Sequence, residues 1–145
     1  MAKIEDILQK GQAASIAFGG GAPYVIPMSY GFEREDGQWT LYLHGACEGE
    51  KIRRVKADPH AAFTVFVDNR VYGEGHAACA YSSTFDSVCG SGIIRFLEGE
   101  EKRRGLRAIM AHYAPGKTFA FDECILYHTC VMALHVQSIT GKHHD

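Results

Sequence analysis

A β-hairpin is the feature that most restricts what this chain can fold into. Residues 23–32 (PYVIPMSYGF) read as extended, residues 39–44 alternate up to His44, and Asp36-Gly37 between them supplies the turn residues a tight antiparallel connection needs. Pro27 has no amide hydrogen to give to a ladder, so its strand belongs at a sheet edge or a bulge. Further strands are expected at residues 14–18, after which Gly19-Gly20-Gly21 turns tightly, and at residues 61–68 (AAFTVFVD), where β-branched and aromatic side chains dominate. Two more are expected at residues 87–97 and, as one long or bent strand, at residues 124–138.

Helical spacing interrupts the strands three times. Ile4, Ile7 and Leu8 share a face of a short helix ended by Gly11; a second helix spans residues 49–57 and stops before Asp58-Pro59. The third opens at Glu100 and Glu101, acids suited to a helix start, and turns Leu106, Ile109, Met110 and Tyr113 inward. Residues 69–81 read as a loop and residues 140–145 as a tail. Roughly six strands joined mainly by hairpin-length links give a mainly β fold, an antiparallel sheet or small β-barrel with peripheral helices.

At 145 residues a single domain over 1–145 is expected, and 46% hydrophobic with 22% charged residues suffices for a core. A net charge of −2 offers no electrostatic reason to bind nucleic acid, and the basic runs 51–56 and 102–107 fall on helices as solvated faces. No apolar stretch approaches the ~20 residues of a membrane span, and the segment from Met1 to Asp6 lacks a signal-peptide core. No membrane partner and a cytoplasmic location are therefore expected.

Five cysteines, Cys47, Cys79, Cys89, Cys124 and Cys130, make an odd count without a close repeated pair. That argues for a reducing compartment and for thiols used mostly as small buried residues. Cys124, His128 and Cys130 would share a strand face, but positions four apart lie ~13 Å from one another, too far for one zinc ion. The terminal His143-His144 pair is adventitious, and no metal is expected. The dinucleotide fingerprint, the phosphate-binding P-loop and the nucleophile elbow are all missing from the sequence.

The chemically suggestive stretch is residues 41–51 (LYLHGACEGEK), where a strand runs into a glycine-spaced turn and then a basic helix. Gly45 and Gly49 let backbone approach a ligand, and Lys51 lies in a first helical turn whose free N–H groups favour phosphate. A phosphorylated flat cofactor fits there. An ordinary strand-to-helix turn with a surface lysine fits the same spacing.

Four segments in order extend this pattern: Pro23 to Tyr30; Leu41 to Ala46 with Gly49 and Lys51; Ala78-Cys79 followed by Ser87-Val88 and Gly90-Ser91-Gly92; and Ile139-Thr140-Gly141-Lys142. Together they resemble the FMN-binding split-barrel superfamily of pyridoxamine 5′-phosphate oxidase, and within it are most similar to the 5-nitroimidazole resistance proteins. The resemblance implies a homodimer with FMN in two equivalent grooves between the subunits. Ile26, Pro27, Met28 and Ser29 would lie along the isoalloxazine, Lys51 with Gly45 and Ala46 would meet the phosphate, and Ser87 and Val88 would reach the site from another strand layer or the partner.

By the same resemblance His44 faces flavin and substrate and donates a proton to a reduced nitro group, a task for which an ordinary imidazole pKa of ~6.5 is suited. The implied activity is an FMN-dependent oxidoreductase acting on small nitroaromatics such as 5-nitroimidazoles. The alternatives are a flavin carrier or redox sensor without turnover, and a haem-binding split barrel using His44, His76, His112, His128 or His135 as axial ligand. Two departures stand out. Phe85-Asp86-Ser87-Val88 carries an acid where relatives often have Tyr-Arg-Ser-Val, and Glu48 and Glu50 flank Lys51. The chain also ends in Gly141-Lys142-His143-His144-Asp145, without the arginine-and-histidine segment that grips pyridoxal phosphate in the oxidase itself, so vitamin B6 oxidation is not the first choice.

Overall fold

A computed structural model describes residues 3–145. Met1 and Ala2, part of the segment weighed as a signal peptide, lie outside the described residues. Seven strands form in chain order: β1 Ala13–Phe18, β2 Tyr24–Ser29, β3 Gly31–Glu35, β4 Gln38–Ala46, β5 His60–Tyr72, β6 Ser82–Phe96 and β7 Thr129–His144. The helices are α1 Ile4–Lys10, α2 Glu50–Ala57, α3 Gly99–Tyr113 and α4 Glu123–His128, with a single 3₁₀ turn at Ala78–Ala80.

The strands make one antiparallel sheet in the order β2-β1-β5-β6-β7-β4-β3. Its two edges, β2 and β3, are separated in the chain by Tyr30 alone. A sheet whose edges are one residue apart must curl until they meet, which makes a barrel. The barrel is split rather than sealed: β2 and β4 come within 8 Å between Cα atoms but share no ladder. Pro27 lies on the edge strand β2, as its missing amide hydrogen requires.

Alternate side chains fill the barrel, among them Ile16, Leu41, Leu43, Val65, Val88 and Met132, all at most 1% exposed. The opposite face of β4 and β7 carries Tyr42, Val131 and Ala133 beneath Leu106 and Ile109 of α3 and Leu126 of α4. Gly31 allows this second layer to close, since a Cβ there would stand 2.5 Å from the Ala108 carbonyl carbon of α3. At one end of the barrel, the Tyr30 hydroxyl donates to the Leu8 carbonyl at 2.5 Å and to the Gly11 carbonyl at 3.1 Å, pinning α1. The Asp36-Gly37 hairpin forms with φ of 51° and 78°, pairing Glu35 with Gln38.

Three expectations about the elements need correction. Residues 124–128 are helical, because the Asp122 carboxylate accepts from the Cys124 amide at 2.7 Å and caps α4, while Leu126 anchors the turn in the outer core. Cys124 and His128 therefore do not share a strand with Cys130. The supposed loop 69–81 is shorter by the four residues through which β5 continues to Tyr72, and β6 starts at Ser82, ahead of residue 87; the register shifts between Val67 and Arg70, and Asp68 has a φ of 55°. The supposed tail is strand, with Thr140 to His144 paired to Cys89 back to Phe85. Both additions are two-faced polar strands, whose side chains give no inside-outside alternation to read.

The cysteines also depart from expectation. All five are free, Cys47, Cys79, Cys89 and Cys124 are exposed, and Cys130 is half-buried. Cys89 faces outward because its neighbour Val88 occupies the barrel interior. Among the described residues no group of three or more His, Cys, Asp or Glu side chains is placed to hold a metal ion. Among the described residues no helix is long and apolar enough to cross a membrane.

Candidate functional site

The split in the barrel is where backbone is left without partners. β3 pairs with β4 only as far as Tyr42, opposite Gly31, whereas β7 pairs with β4 on to Ala46. Residues 43–46 therefore have a neighbour on one side only, and across the gap β2 presents the edge not bonded to β1. Two free strand edges with unspent N–H and C=O groups face each other. β2, with Ile26, Pro27, Met28 and Ser29, thus lies across the split from β4, whose unpaired end carries His44, Gly45 and Ala46.

These residues differ in what they can present. Pro27 is exposed and Ser29 half-buried, while Met28 points into the barrel and is 8% exposed, leaving its backbone to face the split. Ile26 is half-buried against the core. His44 is half-buried opposite Val131 of β7. Burial first, and the nearby Lys51 ammonium second, hold its imidazole below the usual histidine pKa. At neutral pH the ring is therefore neutral.

Lys51 reaches back from α2 across Gly45. A Cβ at Gly45 would fall 2.7 Å from Lys51 Cε and 2.8 Å from its Nζ, so the missing side chain is the space that the lysine occupies. Gly49 opens α2 with a φ of 122°, a conformation other residues adopt only under strain. Among the described residues no carboxylate lies within 4.0 Å of the Lys51 ammonium. Its neighbour Glu50 is engaged elsewhere, with Arg53 at 2.6 Å and Arg54 at 2.7 Å, and the hydrogen bonds from Arg54 and then Arg53 hold its carboxyl below the usual range. The flanking acid thus turns toward its own helix. Glu48 is exposed.

Ser87 and Val88 are not part of this cluster within one chain. They lie on β6, with β7 between them and β4 on one side and β5 and β1 between them and β2 on the other. Val88 is a core residue whose carbonyl accepts from the Thr64 hydroxyl at 3.0 Å; Ser87 faces outward between Phe66 and Lys142. Asp86 is balanced by His143, whose Nδ1 stands 2.5 Å from it, and that contact, followed by Asp145, raises the histidine pKa.

One surface was not singled out from sequence. On the outer face of the barrel the register aligns Val25, Ala17, Ala62, Ser91 and Ser138 in one row, and Pro27, Ser15, Thr64, Cys89 and Thr140 in the next. Neither row holds a charge. Val25 and Phe66 on this face are 62% and 54% exposed. The signal was present in the sequence as small residues at every second strand position, but only the register joins them.

With this geometry in hand, comparison with known proteins is informative. Residues 1–143 match the sequence profile described as pyridoxamine 5′-phosphate oxidase. The chain is 30% identical to a candidate 5-nitroimidazole antibiotic resistance protein from Bacteroides thetaiotaomicron, over 95% of this chain and 80% of that one, with a TM-score of 0.81. It is similar in fold to an FAD and haem binding protein from Mycobacterium smegmatis, at 22% identity over 98% of this chain and 70% of that one and a TM-score of 0.82. A flavocytochrome from Azotobacter vinelandii is likewise similar in fold, at 22% identity over 97% and 65% of the two chains and a TM-score of 0.77. No curated protein matches the chain.

Proposed function

The chain belongs to the pyridoxamine 5′-phosphate oxidase family, and from that premise we propose that it is an FMN-dependent oxidoreductase that acts as a homodimer on small nitroaromatics. The observation that carries the proposal is the cluster at the barrel split, where an unpaired lysine at a helix start lies over a bare glycine beside two free strand edges. That donor set fits a phosphorylated flat group. Lys51 and the first amides of α2 would offset the phosphate charge, with Gly45 and Ala46 close by, and the free edge of β2 from Ile26 to Ser29 would hydrogen-bond the polar rim of the ring. When bound, FMN supplies electron transfer from a reduced nicotinamide or another donor to the nitro group.

The chain's own part in catalysis falls to His44. As imidazolium it donates a proton to an oxygen of the reduced substrate, and as neutral imidazole it recovers one from water. Because its pKa is held below the usual value, the donating form grows as pH falls, and the His44-dependent rate rises with acidity until the ring is fully protonated. The two rows of small uncharged residues on the outer face support the homodimer, since small side chains let two surfaces approach closely and these rows bring no charge to desolvate. Ser87, on that face, would then reach a site of the partner.

The visible absorption spectrum after incubation with FMN and gel filtration tests the reading. A retained flavin spectrum, with nitroimidazole reduction lost in His44→Ala while flavin stays bound, is expected. Undiminished turnover in that variant removes the role of His44, and no retained flavin withdraws the oxidoreductase reading. A second reading, a flavin or haem carrier without turnover, draws on the folds shared with flavin- and haem-binding proteins; a Soret band, or flavin bound without acceleration of any donor and acceptor pair, would favour it.

A further inference from the structure

A cavity of about 620 Å³ lies between α2, the start of α3, α4 and the first residues of β7. Its volume lies within the range of small-molecule sites. Lys51 does not line it, although its wall residue Cys130 pairs with Gly45 across the β4–β7 ladder, so the two places are neighbours with different lysines. Its deepest apolar side chains come from four separate places in the chain, Ile52 of α2, Leu97 just after β6, Leu126 of α4 and Val131 of β7, all less than a tenth exposed. No single helix or strand makes this floor.

The rim is charged unevenly. Arg103 is paired with Glu123 at 2.5 Å. Lys56 and Lys102 also line the cavity, and among the described residues neither has a carboxylate within 4.0 Å. Setting the paired groups aside, these two ammonium groups face a single carboxylate, that of Glu98, which leaves one net positive charge. The polar wall is completed by Cys47 and Cys130, and burial pushes the Cys130 thiol pKa up. An apolar floor beneath a rim with one spare cation matches a molecule with a hydrocarbon body and one acidic end.

We propose that this cavity binds a small amphipathic carboxylate, with its hydrocarbon part against Ile52, Leu97, Leu126 and Val131 and its carboxylate between Lys56 and Lys102. A neutral hydrocarbon would leave the spare charge without a partner, and a doubly charged anion would meet Glu98. α2 contributes to both places, with Lys51 toward Gly45 and Lys56 toward this cavity, so the carboxylate here is held by a different lysine from the phosphate proposed at the split.

Calorimetric titration of the full-length protein with decanoate tests the proposal, with decanol as the uncharged control and iodoacetamide labelling of Cys130, read by mass spectrometry, as the positional reporter. Saturable one-to-one binding of decanoate is expected, weaker by about tenfold for decanol and in Lys102→Glu, with Cys130 labelled more slowly when decanoate is present. Lys51→Ala should leave decanoate binding unchanged while weakening FMN binding, which separates this site from the proposed flavin site. Leu126→Trp, filling the cavity, should abolish binding; if it does not fold, Lys102→Glu, at a half-buried position on the cavity rim, carries the test alone. Absence of saturable binding, equal affinity for decanol, or unchanged affinity in Lys102→Glu would each overturn the proposal.

Discussion

The two ends of β4 are built to different purposes. From Gln38 to Tyr42 the strand has β3 on one side, with β7 on the other from Thr40 onward, and Trp39 and Leu41 are sealed in the barrel. From His44 to Ala46 it has β7 alone, and its side chains shrink to Gly45 and Ala46. One strand thus passes from a region whose hydrogen bonds are spent on the fold to one whose edge is open to a ligand. The lesson is that the site is made by stopping β3 early, not by adding a loop.

If that contrast is right, substitutions at the two ends should separate stability from binding. The largest effect belongs to the closed part: Leu41→Ala, which truncates a fully buried side chain, should cost about 2–5 kcal/mol in urea unfolding. A loss within experimental error would mean the closed part is no more rigid than the open one. Next comes Gly49→Ala, at about 1–3 kcal/mol by the same measurement, because φ of 122° strains any side chain although nothing lies within 4 Å of the added Cβ. A neutral outcome there would show that the turn into α2 relaxes freely.

Smaller in stability but decisive for function is Lys51→Ala. It should weaken FMN binding by about tenfold while shifting unfolding by no more than about 0.5 kcal/mol. Equal FMN affinity in the variant would mean that the open end does not hold the phosphate through this lysine. The smallest effect is a pH slope. His44 and His135 both have pKa values held down, chiefly by burial, so below the unfolded-state value of ~6.5 the unfolded chain binds protons that the folded chain refuses. Stability should therefore fall as pH drops through that window, and His44→Gln should flatten the slope in melts at several pH values, leaving the part due to His135. The raised pKa of His143 acts in the opposite sense, its exposed pairing with Asp86 being lost as pH rises above the folded value. An unchanged slope in His44→Gln would place that imidazole in solvent.

Much of this was legible residue by residue. Asp36-Gly37 announced its hairpin, Gly11 the end of α1, Pro27 an edge strand, and the run from Leu41 to Lys51 the strand, turn and helix that the structure contains. Each signal is local, because turn geometry, a missing amide hydrogen and helix capping act within a few residues. Where side-chain alternation failed, the reading failed with it. The polar ends of β5, β6 and β7 have no buried face, and residues 124–128 have strand-like spacing of Cys124, Leu126 and His128 that the Asp122 cap turns into a helix.

The sequence by itself determined the mainly β character of the chain, its hairpin and helix starts, and the pairing of a small glycine with a nearby lysine, because all of these depend on neighbours along the backbone. Only the tertiary structure decided that β2 and β4 face each other unpaired, that Glu50 turns to Arg53 and Arg54 and not toward Lys51, that His44 is buried enough to stay neutral, and that four elements meet over an apolar cavity. These depend on residues far apart in the chain brought together as the sheet curls, and on the burial that closure creates, neither of which is encoded in any local stretch.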